Sequence, residues 1–177
     1  MSRQRGLSLI ELLVTLAIAA IVCNFALPSL VDFIKDARRT AVINELLGSL
    51  WYARNEAVTR NAQIVVCKSR DGRTCGGADV RWEAGWIVFH NRDADQPPVV
   101  DGEEPVLMVY GTLRQGARLH ANRNYFTFQP LGTRSVNGTL VYCDDRGSHA
   151  ARAVIVSVTG RPRVASRDAA GRPLSCA

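Results

Sequence analysis

Residues 6–27, GLSLIELLVTLAIAAIVCNFAL, constrain the chain more than any other stretch, because Glu11 is their only charged side chain. As a helix rising about 1.5 Å per residue, residues 7–27 cover roughly 32 Å, the thickness of a bilayer's hydrocarbon core. A cleaved secretory signal has a shorter apolar region with a small-residue cleavage site after it, whereas this run continues straight into helix-compatible sequence. Arg3 and Arg5 precede the run and place the N-terminus in the cytoplasm. Glu11 is the anomaly, since a carboxylate inside a membrane helix costs about 2.5 to 3.5 kcal/mol even on a lenient insertion scale. Either it sits near the interface and stays solvated, or something pairs with it.

The other residues read as one ordinary globular domain, the whole chain being 177 residues long, 47% hydrophobic and 21% charged. The formal net charge is +6, and loss of Arg3 and Arg5 leaves 20 basic against 16 acidic side chains, or +4. Lys35 and Lys68 are the only lysines. This arginine bias suits bidentate contacts to carboxylate or phosphate, but a high-GC genome is the favoured account of it. Cys23 lies in the apolar run, which leaves Cys67, Cys75, Cys143 and Cys176 in a domain carried to an oxidising compartment. Four cysteines allow three pairings. The favoured one joins Cys67 to Cys75 around the short loop SRDGRT, and Cys143 to Cys176 at the tail. The spacings lack the close pairs of a zinc site, so no metal or other cofactor is expected.

Apolar residues recur at three- and four-residue steps past Pro28, through Leu30, Ile34, Ala37, Ala41, Ile43, Leu46, Leu47, Leu50, Ala53 and Ala57. They predict a helix to about residue 59 whose apolar stripe is covered by sheet. From Asn61 the period changes to two, which predicts strands over 64–68, 85–90, 106–110, 125–129, 139–143 and 152–158. Turn signals stand at Gly76-Gly77, Asp101-Gly102, Asn137-Gly138 and Arg146-Gly147. One long helix followed only by strands implies an α+β fold, with antiparallel sheet packed on the helix. Residues 93–105, with five acids and three prolines, read as an exposed loop between strands.

No catalytic motif is present. His90, His120 and His149 are isolated, and there is neither HExxH, G-x-S-x-G nor a Walker-type glycine loop, so the chain is read as a non-enzyme. The informative region is the tail, residues 146–177, where Arg146, Arg152, Arg161, Arg163, Arg167 and Arg172 stand against the single acid Asp168. Pro162 biases Arg161 toward extended geometry, so Arg161 and Arg163 project from one side about 6.6 Å apart. Phosphates advance about 3.4 Å per nucleotide along a strand, a spacing such a pair can engage. Gly160 lets the chain turn with no side chain in the way. By spacing alone, the favoured reading of the segment is an ordinary turn whose arginines solubilise the surface or pair with the acidic loop.

The basic leader, Gly6, Leu7, Ser8, Leu9, Ile10, Glu11 and the unbroken apolar run resemble the signal of the type IV pilin and pseudopilin superfamily. That resemblance implies cleavage between Gly6 and Leu7 by a prepilin peptidase and methylation of the new terminus at Leu7, where the family usually has phenylalanine. It also implies that Glu11 pairs with the terminal ammonium of a neighbouring subunit in the filament, and that Pro28 falls where these helices kink. The expected organisation is a leader at 1–6, a transmembrane and filament-core helix at 7–30, and a globular domain at 31–177 that includes the amphipathic half of the helix. The chain then sits in the inner membrane with a cytoplasmic N-terminus and a periplasmic domain, and at the cell surface after assembly.

Further on, Phe126 through Gly132, Asn137-Gly138-Thr139-Leu140, Cys143, Ala153 to Ser157 and Gly160-Arg161-Pro162-Arg163 resemble the C-terminal half of the GspH/FimT minor pilins. The FimT branch is associated with DNA uptake through a G-R-x-R tail motif, and the GspH branch with type II secretion. Two readings follow. In the first, a minor pilin at or near the pilus tip binds extracellular DNA through Arg161 and Arg163, with Arg167, Arg172, Arg146 and Arg152 as weaker neighbours, and supports natural transformation. In the second, a structural pseudopilin of a secretion system uses the same arginines for subunit contacts. Partners under the first are DNA, other major and minor pilins, the prepilin peptidase and, before assembly, the inner membrane.

Overall fold

A computed structural model describes residues 8–130 and 135–176. The expected leader with its junction at Gly6 and Leu7 lies outside the described residues, as does Gly132. The chain divides into two compact units, Met1–Thr40 and Ala41–Ala177. A single helix, α1 (Leu9–Arg60), supplies residues to both and runs on through Pro28.

In the first unit α1 starts at Ser8, whose Oγ accepts the Glu11 amide (3.3 Å) and so satisfies one of the open donors of the first turn. Its apolar side chains, among them Leu9, Ile10, Leu13, Leu16, Ile18 and Ile21, are exposed, and the helix is long and apolar enough to cross a membrane. Two polar side chains bond back to the helix itself: Thr15 Oγ1 donates to the Leu12 carbonyl (2.8 Å) and Asn24 Nδ2 to that of Ala20 (2.8 Å). Neither group therefore needs water, which suits a helix that is apolar all round. Leu30, Ile34 and Ala37, expected under the sheet, are exposed instead, because among the described residues this unit has no second element to cover them.

The covered stripe begins in the second unit. Ile43, Leu46, Leu50, Ala53 and Ala57, at three- and four-residue steps, are buried in the main core. Two four-stranded antiparallel sheets complete that unit. The first runs β3 (Val106–Tyr110), β2 (Trp86–Asn91), β1 (Gln63–Lys68), β5 (Tyr125–Phe128). The second runs β4 (Arg118–Ala121), β6 (Gly138–Cys143), β7 (Arg152–Val156), β8 (Pro162–Ala165). Ile64, Val66, Trp86 and Val88 of the first sheet and Leu119, Leu140, Val154 and Val156 of the second share one core with the helix. The fold is therefore α+β, a long helix packed on antiparallel sheet.

β1 is buried at all six positions, so it has a second covered face: Val65 and Cys67 pack with Ile87 and Phe89 under Val100 and Val106. Val100 belongs to the acidic 93–105 loop, which is thus less free than expected, and Pro98 within it is buried too. On the outer side of the second sheet, Cys143, Ala153 and Ile155 pack with Leu174 of the tail. Disulfides join Cys67 to Cys75 and Cys143 to Cys176.

Several local expectations need correction. Asn137-Gly138 is no turn: Gly138 opens β6, and a Cβ there would lie 2.7 Å from Asn122 Oδ1 and 2.9 Å from Phe126 Cε1, so the glycine permits a close approach. The strand expected over 152–158 stops at Val156, because the chain turns back at Ser157. β4 and β8 had no counterpart among the expected strands.

Candidate nucleic-acid interface

β7 and β8 form a hairpin in which Ile155 faces Arg163 and Val156 faces Pro162. Two bonds close its turn, from the Gly160 amide to the Ser157 carbonyl (2.8 Å) and from the Ser157 amide to the Arg161 carbonyl (3.1 Å). Ser157 Oγ accepts the Arg161 amide as well (3.1 Å) and lies 2.9 Å from Thr159 Oγ1. Gly160 has φ +70°, the left-handed region, and a Cβ on it would stand 2.7 Å from both Arg54 Nη1 and Ser135 Oγ. Only glycine satisfies both constraints. The crowding exists because α1 and the 135 segment grip the turn: Arg54 donates to the Thr159 carbonyl, and the Ser135 amide to that of Val158 (3.1 Å).

Pro162 is buried while Arg161 and Arg163 on either side are exposed, so both guanidinium groups point away from the core. Their side chains make no hydrogen bond or ion pair among the described residues. Proline is tolerated at this place because β8 is an edge strand and Pro162 is its first residue. Arg163 shares the sheet face of Ile155, opposite the face of Val154 and Val156 that meets the helix.

The other four tail arginines are placed differently. Arg152 alternates with Ala153, so it stands on the face of Val154 and Val156, away from Arg163, and donates to the Ala151 carbonyl (2.8 Å). Arg146 is drawn into an ion pair with Asp144 (2.8 Å) and its side chain is only 15% exposed, so it does not join the surface of the pair. Arg167 and Arg172 lie past the end of β8 in a small turn: Arg167 Nη1 donates to the Gly171 carbonyl (3.0 Å), and Arg172 Nε pairs with Asp168 (2.8 Å). Backbone donation from Arg172, followed by its side chain and the Ala170 amide, holds the Asp168 carboxyl below its ordinary range. Its negative charge offsets one arginine of the turn.

Arg54, Ser135 and Ser157 were not expected to matter to this site. Nothing in the sequence marks Arg54, 105 residues from its acceptor, as the clamp of the turn. Among the described residues, no group of three or more His, Cys, Asp or Glu is placed to hold a metal ion.

A family model described as Type II transport protein GspH matches residues 42–160. The prokaryotic N-terminal methylation motif matches residues 1–23. Among solved structures, the chain is similar to the type IV minor pilin FimU of Pseudomonas aeruginosa PAO1, with a TM-score of 0.56 and 20% identity over 82% of this chain and 99% of that one. A second crystal form of FimU gives 0.52 and 19% over 78% and 99%. The minor pseudopilin EpsH from the Type 2 Secretion System of Vibrio cholerae is similar with a TM-score of 0.49 and 12% identity over 72% and 96%. No curated protein matches the chain significantly. The likeness to FimU is one of fold, and the family model spans more than half of the sequence. The chain accordingly belongs to the GspH family of minor type IV pilins and pseudopilins.

Proposed function

We propose that this minor pilin captures extracellular DNA through Arg161 and Arg163 and so supports DNA uptake in natural transformation. The observation that carries the reading is the pair itself: two exposed guanidinium groups without side-chain partners among the described residues, flanking a buried proline on a hairpin clamped by Arg54. The family model ends at residue 160, so the pair's role rests on its geometry and not on family membership. Contacts of this kind go to the phosphate backbone, which makes binding indifferent to sequence and steeply dependent on salt. Arg167 and Arg172 add long-range charge, tempered by Asp168. The rest of the assignment follows from the N-terminus. Residues 1–6 are removed by the prepilin peptidase between Gly6 and Leu7, and the new terminus is methylated. Residues 7–30 hold the chain in the inner membrane with its N-terminus cytoplasmic, Glu11 meets the terminal ammonium of a neighbouring pilin during assembly, and residues 31–177 face the periplasm and then the cell surface.

The test is a DNA titration of the 31–177 fragment, which contains all three apolar clusters and both disulfides. Duplex DNA is shifted at low salt and released as salt rises. In the Arg161→Ala, Arg163→Ala double variant the slope of log affinity against log salt falls by about two, because two phosphates are no longer neutralised. Unchanged affinity in that variant, with its melting temperature preserved, removes the pair from DNA binding. The description of the matching model as a type II transport protein favours a second reading, a structural pseudopilin without DNA binding. Deletion that abolishes secretion but leaves DNA uptake normal selects it.

A further inference from the structure

β4 is an edge strand of the second sheet, and the short 3-10 turn Trp82–Ala84 lies beside it. Between that turn, the end of β1 and β4 is a cavity of about 510 Å³, within the range of roughly 300 to 1,000 Å³ that small-ligand sites occupy. Its wall carries Lys68, Arg81, Arg118 and Arg123, with Glu83 as the one carboxylate among the described lining residues. Four cations against one carboxylate, whose Oε2 is buried with no hydrogen-bond partner among the described residues, leave the lining with an excess of positive charge that an anion would offset.

Lys68 is the decisive wall residue. It ends β1 on the face of Ile64 and Val66, only 5% exposed, and its ammonium makes no hydrogen bond or ion pair among the described residues. Its stem is buried in the core while its ammonium, on the cavity wall, has no protein acceptor among the described residues to replace the hydration that partial burial removes. Burial accordingly pushes the Lys68 pKa down, with Asp79 opposing in the smaller sense. His120, which also lines the cavity, has a buried Nε2 with no hydrogen-bond partner among the described residues. Arg81 and Arg118 are exposed at the rim and also lack side-chain partners among the described residues. Arg123 is held in position from two sides: its carbonyl accepts the Trp82 indole N–H (3.0 Å) and its Nε donates to the Asn137 carbonyl (3.2 Å), leaving its terminal nitrogens for a ligand.

We propose that this cavity binds a phosphate group, with the Lys68 ammonium at its floor and the Arg81, Arg118 and Arg123 guanidinium groups around its mouth. Planar guanidinium forks match the edges of a tetrahedral oxyanion, and the ammonium of Lys68 supplies a point charge beside them. The volume exceeds that of a bare anion, so the phosphate arrives on a larger body or as the free ion with its water. Inorganic phosphate and the terminal phosphate of a nucleic-acid strand both carry the required group. Arg161 and Arg163 have no part in the cavity, so this site does not depend on DNA capture by the hairpin.

The full-length protein in maltoside micelles is titrated with inorganic phosphate at constant ionic strength, chloride making up the difference, and heat is recorded. Saturable binding is expected. Lys68→Met, which keeps the length and apolar stem of the side chain, and Arg118→Gln, an exposed change that spares the core, each weaken it roughly tenfold or more. The Arg161→Ala, Arg163→Ala variant binds phosphate as the parent does. A second arm compares one short duplex with and without 5′-phosphates. Tighter binding of the phosphorylated form, abolished by Arg118→Gln, assigns the site to strand ends, whereas equal binding of the two duplexes beside saturable inorganic phosphate assigns it to the free ion. Absence of saturable phosphate binding, or binding indifferent to both Lys68→Met and Arg118→Gln, overturns the proposal.

Discussion

Gly160 shows how one residue holds a site together without touching a ligand. Its left-handed φ already disfavours any side chain, and the Arg54 and Ser135 atoms 2.7 Å from its missing Cβ make the space as restrictive as the backbone. Gly160→Ala should destabilise the domain by about 1 to 3 kcal/mol, measured by urea unfolding, and weaken DNA binding by displacing Arg161. Asp71 is a second case. In the loop closed by Cys67 and Cys75 its carboxylate accepts the amides of Thr74 and Arg73 (2.9 Å each), the Thr74 hydroxyl (2.8 Å) and the Ser69 hydroxyl (3.1 Å). Those bonds, the Thr74 amide foremost, hold its pKa far below the ordinary carboxylate value. Stabilisation from a depressed carboxylate is complete above the unfolded value of about 3.9 and fades as pH falls through the folded one. Melting temperature should therefore decline on acidification below about pH 4, and less steeply in Asp71→Asn than in the parent, when the two are compared by circular dichroism.

Within α1, the residues that face the sheets include a polar pair. Trp86 Nε1 donates to Ser49 Oγ (3.1 Å), which in turn donates to the Leu46 carbonyl (2.8 Å), all of it buried. The hydroxyl thereby satisfies the one donor of a large core ring, which also stacks on Tyr110 at 4.9 Å. Ser49→Ala leaves the indole N–H without an acceptor, and the expected loss is about 1 to 3 kcal/mol by chemical denaturation, more than alanine's gain in helix propensity returns. The long elements were legible because their periods are long. Ile43 to Ala57 repeat at helical steps, and Val106–Tyr110 is found at its expected bounds. β4 and β8 were not legible: each has four residues and an arginine, each is an edge, and β8 begins with proline, so neither carries an alternation that separates strand from loop.

On the scale of the whole molecule, the chain joins an apolar helical segment with exposed side chains to a domain whose core is closed by two sheets and two disulfides. Both suit a membrane-anchored pilin that associates with other pilins. The helix, its apolar half, the family resemblance and the arginine pair are local in the chain, so order and spacing alone determined them. Which arginines stay available was decided by tertiary structure. Arg146 is neutralised by Asp144, Arg152 is turned to the other face of β7 by strand register, and Arg161 and Arg163 are held out by a helix residue far away in sequence. The cavity at Lys68 depends on folding still more, since β1, the Trp82–Ala84 turn and β4 come from separate parts of the chain. Periodicity reports what each segment prefers to bury, whereas the partner that satisfies or abandons a charge is set by which segments meet.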